Sequence, residues 1–296
     1  MSGVKGIYSV MLIVQQLFTG ERALFGAKDT EIEYSTFADG ESPLKESHNI
    51  KLRSCLFRWK YPLWYSSDIL MSNCTLFDNA RAGIWYSDNI SIKNTTIDAP
   101  KTFRRSSGIT LEHVTIPNAA ETLWNCRNIK MNNVVVRGDY FAMNSQAISA
   151  ADFDLTGNYS FDGCIDVEIS NARIISKDCF WNCENVTVRD SFISGEYVGW
   201  NAKNVTFENC TIESLQGMCY MDGVVLKGCR LINTNLAFEY SVVDAEIKGS
   251  IDSVFNPSAG YITADRIDEL TMNPERIDPE RTEIQSEIVR TVDDPF

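Results

Sequence analysis

The side chains best suited to chemistry in this sequence are three aspartates, five tryptophans and a small group of cations. Asp139, Asp162 and Asp178 are the candidates for acid–base work, since a carboxylate held near like charges can carry a raised pKa. Trp64, Trp85, Trp124, Trp181 and Trp200 present flat apolar rings of the kind on which sugar C–H faces pack. Lys101, Arg104 and Arg105 lie among them and suit a uronate or a phosphate. These residues are scattered over more than a hundred positions, so they form a site only if the fold brings them into line.

The elements that would do so are repeats. Asn89-Ile90-Ser91-Ile92-Lys93-Asn94-Thr95-Thr96-Ile97, Asn185-Val186-Thr187-Val188-Arg189-Asp190-Ser191-Phe192-Ile193 and Asn204-Val205-Thr206-Phe207-Glu208-Asn209-Cys210-Thr211-Ile212 share one template. The first apolar position recurs at Ile50, Ile69, Ile90, Ile109, Ile129, Ile148, Val167, Val186, Val205, Val224, Val243 and Ile262, at intervals of 19 to 21 residues. Apolar residues alternate within each unit and β-branched types dominate, which signals strands. The period leaves no room for a helix between strands, so successive units must stack by parallel pairing, about 4.8 Å apart. The expected fold is therefore all-β: a single-stranded, right-handed parallel β-helix (a solenoid) of about 12 short coils. Residues 1–296 form one domain in this reading. Residues 1–29 serve as an N-terminal cap and first strand, 30–264 as the coils and 265–296 as a C-terminal cap or tail. Neither a six- nor a five-residue sub-period is maintained throughout.

Stacking turns equivalent positions into columns. Asp68, Asn89, Gly108, Asn128 and their equivalents mark one corner, where left-handed backbone is needed. Asn73, Asn94, His113, Asn133, Asp152, Asn171, Asp190 and Asn209 read as a ladder at a second. Cys55, Cys74, Cys210 and Cys229 belong to a column of small packing residues, not to disulfides. The Trp column runs Trp64, Trp85, Arg104, Trp124, Met143, Asp162, Trp181, Trp200, Cys219, Phe238. The column before it, Leu63, Ile84, Phe103 and onward, is uniformly apolar or small and should face the core. Alternation then turns the tryptophans outward; the reverse assignment makes them core. Beside them Lys60, Arg81, Lys101, Glu121, Asp139, Asp178 and Glu196 suggest a face basic in the early coils and acidic later. Carboxylates one and two coils apart would stand about 5 and 10 Å from each other, bracketing the glycosidase separations. The competing reading has these charges solvated or paired across coils.

The pattern resembles the parallel β-helix repeats of the pectin-lyase-like superfamily. More closely, it is similar to a bacterial family known as domain of unknown function 3737. Phe18-Thr19-Gly20-Glu21-Arg22-Ala23-Leu24-Phe25, Phe57-Arg58-Trp59-Lys60-Tyr61-Pro62-Leu63-Trp64-Tyr65 and Phe180-Trp181-Asn182-Cys183-Glu184-Asn185 carry the resemblance. It covers nearly the whole chain and implies the fold but no activity; the superfamily's lyases, hydrolases and esterases assign no chemistry by shape alone.

Composition narrows the function classes. Net charge is −13, of which Asp265–Phe296 contributes −6 with ten acids and four arginines, the opposite of what nucleic-acid binding needs. No apolar run is long enough to span a bilayer, so no membrane partner is expected. The run Ile7–Val14 after Lys5 reads as a first strand in preference to a signal peptide. Nine cysteines recurring within the repeat suit packed thiols in a reducing, cytoplasmic setting. With only His48 and His113, and Cys179 and Cys183 lacking partners at zinc spacing, no metal site and no cofactor is expected. Two readings remain open. One is binding or processing of an oligo- or polysaccharide along the Trp face, by glycoside hydrolase or polysaccharide lyase chemistry if the chain is an enzyme at all. The other is a non-catalytic structural or interaction module whose Trp stripe is a homo-oligomer interface. The short, uniform coils offer no lid or deep cleft, which weighs against catalysis.

Overall fold

The structure is a computed structural model, described here for residues 10–294; Ile7–Ser9 of the expected first strand, with the residues before them, and Pro295 and Phe296 lie outside the described residues. It is a parallel β-solenoid of about 15 turns with a period of about 19 residues and almost no helix. The strands pair in parallel, coil on coil. The first apolar column runs unbroken through the pairings Met11↔Thr30, Thr30↔Ile50, Ile50↔Ile69, Ile90↔Ile69 and Ile90↔Ile109. It continues in the same way through Ile129, Ile148 and the valines to Val243.

Two expectations need correction. About 12 coils is too few, because both flanking segments carry rungs of the same stack. Met11–Val14 and Leu17–Phe18 form the first rung, and Thr282–Thr291 pairs in parallel with Ala259–Thr271 near the other end. The column also does not pass through Ile262: Val243 pairs with Gly260, and Ile262 sits opposite Ala245. That step is two to four residues shorter than those between Ile50 and Val243, so counting by nineteen overshoots.

Alternation fills the interior. Ile50, Leu52, Phe57, Ile90, Ile92, Ile129, Val186 and Val188 are each at most 1% exposed. Burying such a side chain contributes about 1.5–3 kcal/mol, and no single coil collects that without its neighbours. Phe18, Phe37 and Phe57 stack at 4.8 Å, one ring per coil. The backbone is left-handed in five columns and not two, one of them the buried column of Leu123, Ala142, Phe161 and Phe180. Asn89 and Asn128, and Asn94 and Asn133, have φ near +50° as expected. So do Tyr65, Tyr86 and Arg105, and so do Lys101, Glu121, Tyr140, Tyr159 and Asp178. The asparagine ladders bond side chain to side chain between coils: Asn89 Nδ2 donates to Asp68 at 3.0 Å and Asn204 Nδ2 to Asn185 at 2.7 Å.

A ladder of hydroxyls and thiols inside the corners completes the frame. Ser66 N–H donates to Ser87 Oγ at 3.1 Å, Ser87 N–H to Ser106 Oγ at 3.1 Å, and Cys126 N–H to Ser145 Oγ at 2.9 Å. Each hydroxyl in turn donates to a carbonyl of the coil before it, as Ser87 Oγ does to Leu63 at 2.7 Å. These side chains settle buried backbone groups that the turns leave unpaired. All nine cysteines are free and buried.

Candidate functional site

The Trp column faces outward. Leu63, Ile84, Phe103, Leu123, Phe161 and Phe180 are fully buried, while Trp64, Trp85, Trp124, Trp181 and Trp200 on the next position are half-exposed. Backbone bonds keep Arg104 level with Trp124, Asp162 with Trp181, and Trp181 with Trp200. The column does not hold to its end. Cys219 and Phe238 are buried, and the aromatic line leaves it through Tyr220, which lies 4.5 Å from Trp200, and Tyr240.

The rings are arranged as plates piled along the rod. Trp64 and Trp85 stack at 5.2 Å and 6°, and the Arg104 guanidinium lies 4.7 Å from both Trp85 and Trp124. Four of the five indole N–H groups are held by a carbonyl one coil on: Trp64 by Ala82 at 2.6 Å, Trp85 by Lys101 at 2.7 Å, Trp124 by Tyr140 at 2.6 Å and Trp181 by Tyr197 at 2.8 Å. In the early coils the flat faces are therefore spent on one another, and edges are what solvent meets. In the later coils Trp181 and Trp200 are tilted by 35° at 6.2 Å, with Tyr197 edge-on to both.

A second pile, absent from the sequence reading, runs alongside. Tyr65 and Tyr86 stack at 4.9 Å, capped by Arg105 at 5.9 Å and approached by Lys45 at 5.5 Å. The signal was available, since a tyrosine directly follows Trp64 and Trp85. Tyr140 and Tyr159 form a similar pair further on.

The expected charge gradient is largely neutralised between coils. Lys60 pairs with Glu41 at 2.7 Å, Lys101 and Arg104 share Glu121 at 3.0 and 3.2 Å, and Lys177 pairs with Glu196 at 3.0 Å. The pairing holds the Lys60 and Lys177 ammonium groups above their ordinary pKa. Arg58, Arg81 and Arg105 are exposed and make no ion pair among the described residues. Arg58 lies over the Phe77 ring at 5.2 Å. The early coils thus keep a cationic surplus beside the aromatic piles.

The three aspartates do not converge. Asp139 accepts the Asn158 N–H at 2.7 Å. Its neighbours in successive coils are Ala120, Asn158 and Lys177, so it is not in line with Asp178, contrary to the column read from spacing. Asp162 accepts from Asn182 Nδ2 at 2.9 Å, and Asn182 Oδ1 in turn accepts from Asn201 Nδ2 at 2.8 Å. Asp178 is 3% exposed, with its Oδ1 lacking a partner among the described residues, so it belongs to the interior and not to the charged face. Burial first, and Glu196 after it, pushes its carboxyl above the ordinary range against the pull of Lys177. The three lie in three different columns, so they are not one row of carboxylates spaced by whole coils as the spacing suggested. A shallow groove of about 450 Å³ on the strand face, lined by Lys130, Ser149, Glu168 and Thr187, contains none of the three.

The model of a family described as "Protein of unknown function (DUF3737)" matches residues 11–285. No curated protein matches the chain. Among solved structures, a trypsin-treated variant of QnrB1, described as a plasmid-mediated fluoroquinolone resistance protein, is 18% identical over 76% of this chain and 92% of that one. Its TM-score of 0.21 carries no argument. Among the described residues no helix is long and apolar enough to cross a membrane.

Proposed function

We propose, for a chain that belongs to the family of unknown function DUF3737, a non-catalytic binding rod whose early coils hold an extended anionic chain, a uronate-containing glycan in the first instance. The observation that carries this reading is the set of exposed, unpaired arginines, Arg58, Arg81 and Arg105, beside the Trp64–Trp85–Arg104–Trp124 pile on a protein of net charge −13. Such cations form charge-assisted bonds with carboxylates, and coils about 4.8 Å apart spread the three, which stand in three different columns, over successive early coils. Lys101 and Arg104, already shared with Glu121, act in this reading by fixing the pile. Because the ring faces are occupied, affinity rests on charge and ring edges, and a neutral glycan gains little. The dispersal of Asp139, Asp162 and Asp178 supports binding without turnover. A stripe whose rings are satisfied internally is also a poor oligomer interface.

Affinity electrophoresis in gels containing polygalacturonate or a neutral glucan tests this. Retardation is expected with polygalacturonate alone, weakened at least tenfold by Arg81→Glu with Arg105→Glu, and weakened by salt. Trp181→Ala with Trp200→Ala should leave it unchanged. Equal retardation in both gels, or none in either, overturns the proposal.

A further inference from the structure

The first rung is unlike every rung inside the rod. Met11–Val14 pairs only with Lys28–Glu33, and Leu17–Phe18 only with Thr36–Phe37, so among the described residues their outer backbone edges have no strand beside them. The side chains there are apolar and open: Met11 is 60% exposed, Leu12 61% and Leu17 68%. Ile13, Phe18, Leu24 and Ala27 end the core columns half-covered. The Phe18 ring lies against Phe37 on one side at 4.8 Å and, among the described residues, has no ring contact on the other. Edges of this kind are normally blunted by charge or proline. Met11-Leu12-Ile13-Val14 carries neither.

We infer that this end is an interface between two copies of the chain, joined first rung to first rung about a two-fold axis. Charge selects the partner. Residues 10–29 hold Glu21, Arg22, Lys28 and Asp29 and sum to zero, whereas 282–294 hold Glu283, Glu287, Arg290, Asp293 and Asp294 and sum to −3. On an acidic molecule the neutral end is where like copies repel least. Joining it to the opposite end would set Met11 and Leu12 against Glu283, Glu287 and Arg290, burying charge without partners, and would propagate into an open filament. Two first rungs are self-complementary: antiparallel Met11–Val14 segments exchange backbone bonds, the open Phe18 layers meet, and the contact closes at two. A coil of about 19 residues has an end roughly 25 Å across with its side chains. The pair would thus bury on the order of 1,200 Å², the lower bound for a specific interface.

Sedimentation equilibrium of the full chain should give a dimer at micromolar concentration, and Met11→Lys with Leu17→Glu, folded by circular dichroism, should give a monomer. Leu12→Cys under mild oxidation should yield a covalent dimer, because position 12 lies beside the axis and the nine native thiols are buried. Ile288→Cys should not. A monomeric wild-type chain at tens of micromolar overturns the inference. So does a filament, or a cross-link that forms only when the Leu12→Cys and Ile288→Cys proteins are mixed. These readouts concern a different surface from the arginine stripe, so either proposal can fail alone.

Discussion

Replacing Ser87 by alanine tests the idea that the buried hydroxyl column, and not hydrophobic burial alone, holds the corners. Ser87 Oγ accepts the Ser66 N–H at 3.1 Å and donates to the Leu63 carbonyl at 2.7 Å, and the residue has no exposed surface. Alanine leaves one donor and one acceptor in a space that water does not reach. An orphaned buried group costs about 1–3 kcal/mol, so two predict a loss of about 2–4 kcal/mol after local relaxation. Serine and alanine differ little in apolar area, so a purely hydrophobic account predicts almost no change. Cysteine should restore part of the loss, because Cys74 Sγ already accepts the Cys55 N–H at 3.3 Å in an equivalent corner. Urea unfolding followed by tryptophan fluorescence, with hydrogen exchange at Ser66 to localise the effect, supplies the measurement. A loss below about 0.5 kcal/mol, or a cysteine variant no better than alanine, would refute the reasoning.

Other outcomes follow from the same geometry. Asp178→Asn should raise the melting temperature at pH 7 to 8 and do little at pH 4. The native carboxyl has a raised pKa, so its stability contribution is complete below the unfolded value and is lost as pH rises through the folded one. A destabilised Asn variant at pH 8 would contradict this. Burial pushes the Cys126, Cys164 and Cys219 thiols up to about 12, so a thiol reagent at pH 8 should titrate none of them until the rod is unfolded. Rapid labelling of the native protein would count against that. Arg104→Met should preserve folding while quenching or shifting the Trp85 and Trp124 emission, since it removes the cation held between those rings. An unchanged spectrum would place the guanidinium elsewhere in solution.

The Ile50-to-Val243 column was readable because inward residues recur at fixed spacing and nothing else satisfies a buried strand face. The outward turn of Trp64 and Trp181 was readable from the buried neighbours Leu63 and Phe180. Ring orientation was not, because it depends on side-chain torsions and on the next coil offering a plate at stacking distance. Only two of the five left-handed columns announced themselves fully through asparagine; a third carries it in its later coils, at Asn125, Asn144, Asn182 and Asn201. Elsewhere Tyr65, Arg105, Lys101 and Glu121 adopt a backbone shape their types disfavour, because the neighbouring coil dictates it. Asp178 misled for another reason: it stands eight positions before Val186 whereas Asp139 stands nine before Ile148, so the two belong to adjacent columns and Asp178 lies under cover. The end of the repeat was misjudged because a seventeen-residue step from Val243 to Gly260 breaks the count, and because charge in the last segment was taken for the loss of strand.

The pairing of each rung only with its two neighbours makes length a free variable. Removing or duplicating a block in phase with the period would return every isoleucine, hydroxyl and asparagine to a like position, and the molecule would merely become shorter or longer by about 4.8 Å. A slip of a single position inside a strand would turn its inward residues outward, whereas steps of 17 to 21 residues between paired positions are absorbed in the turns without loss of the columns. Such a chain can lengthen in evolution by copying whole units, and can take small insertions at its turns but not within its strands.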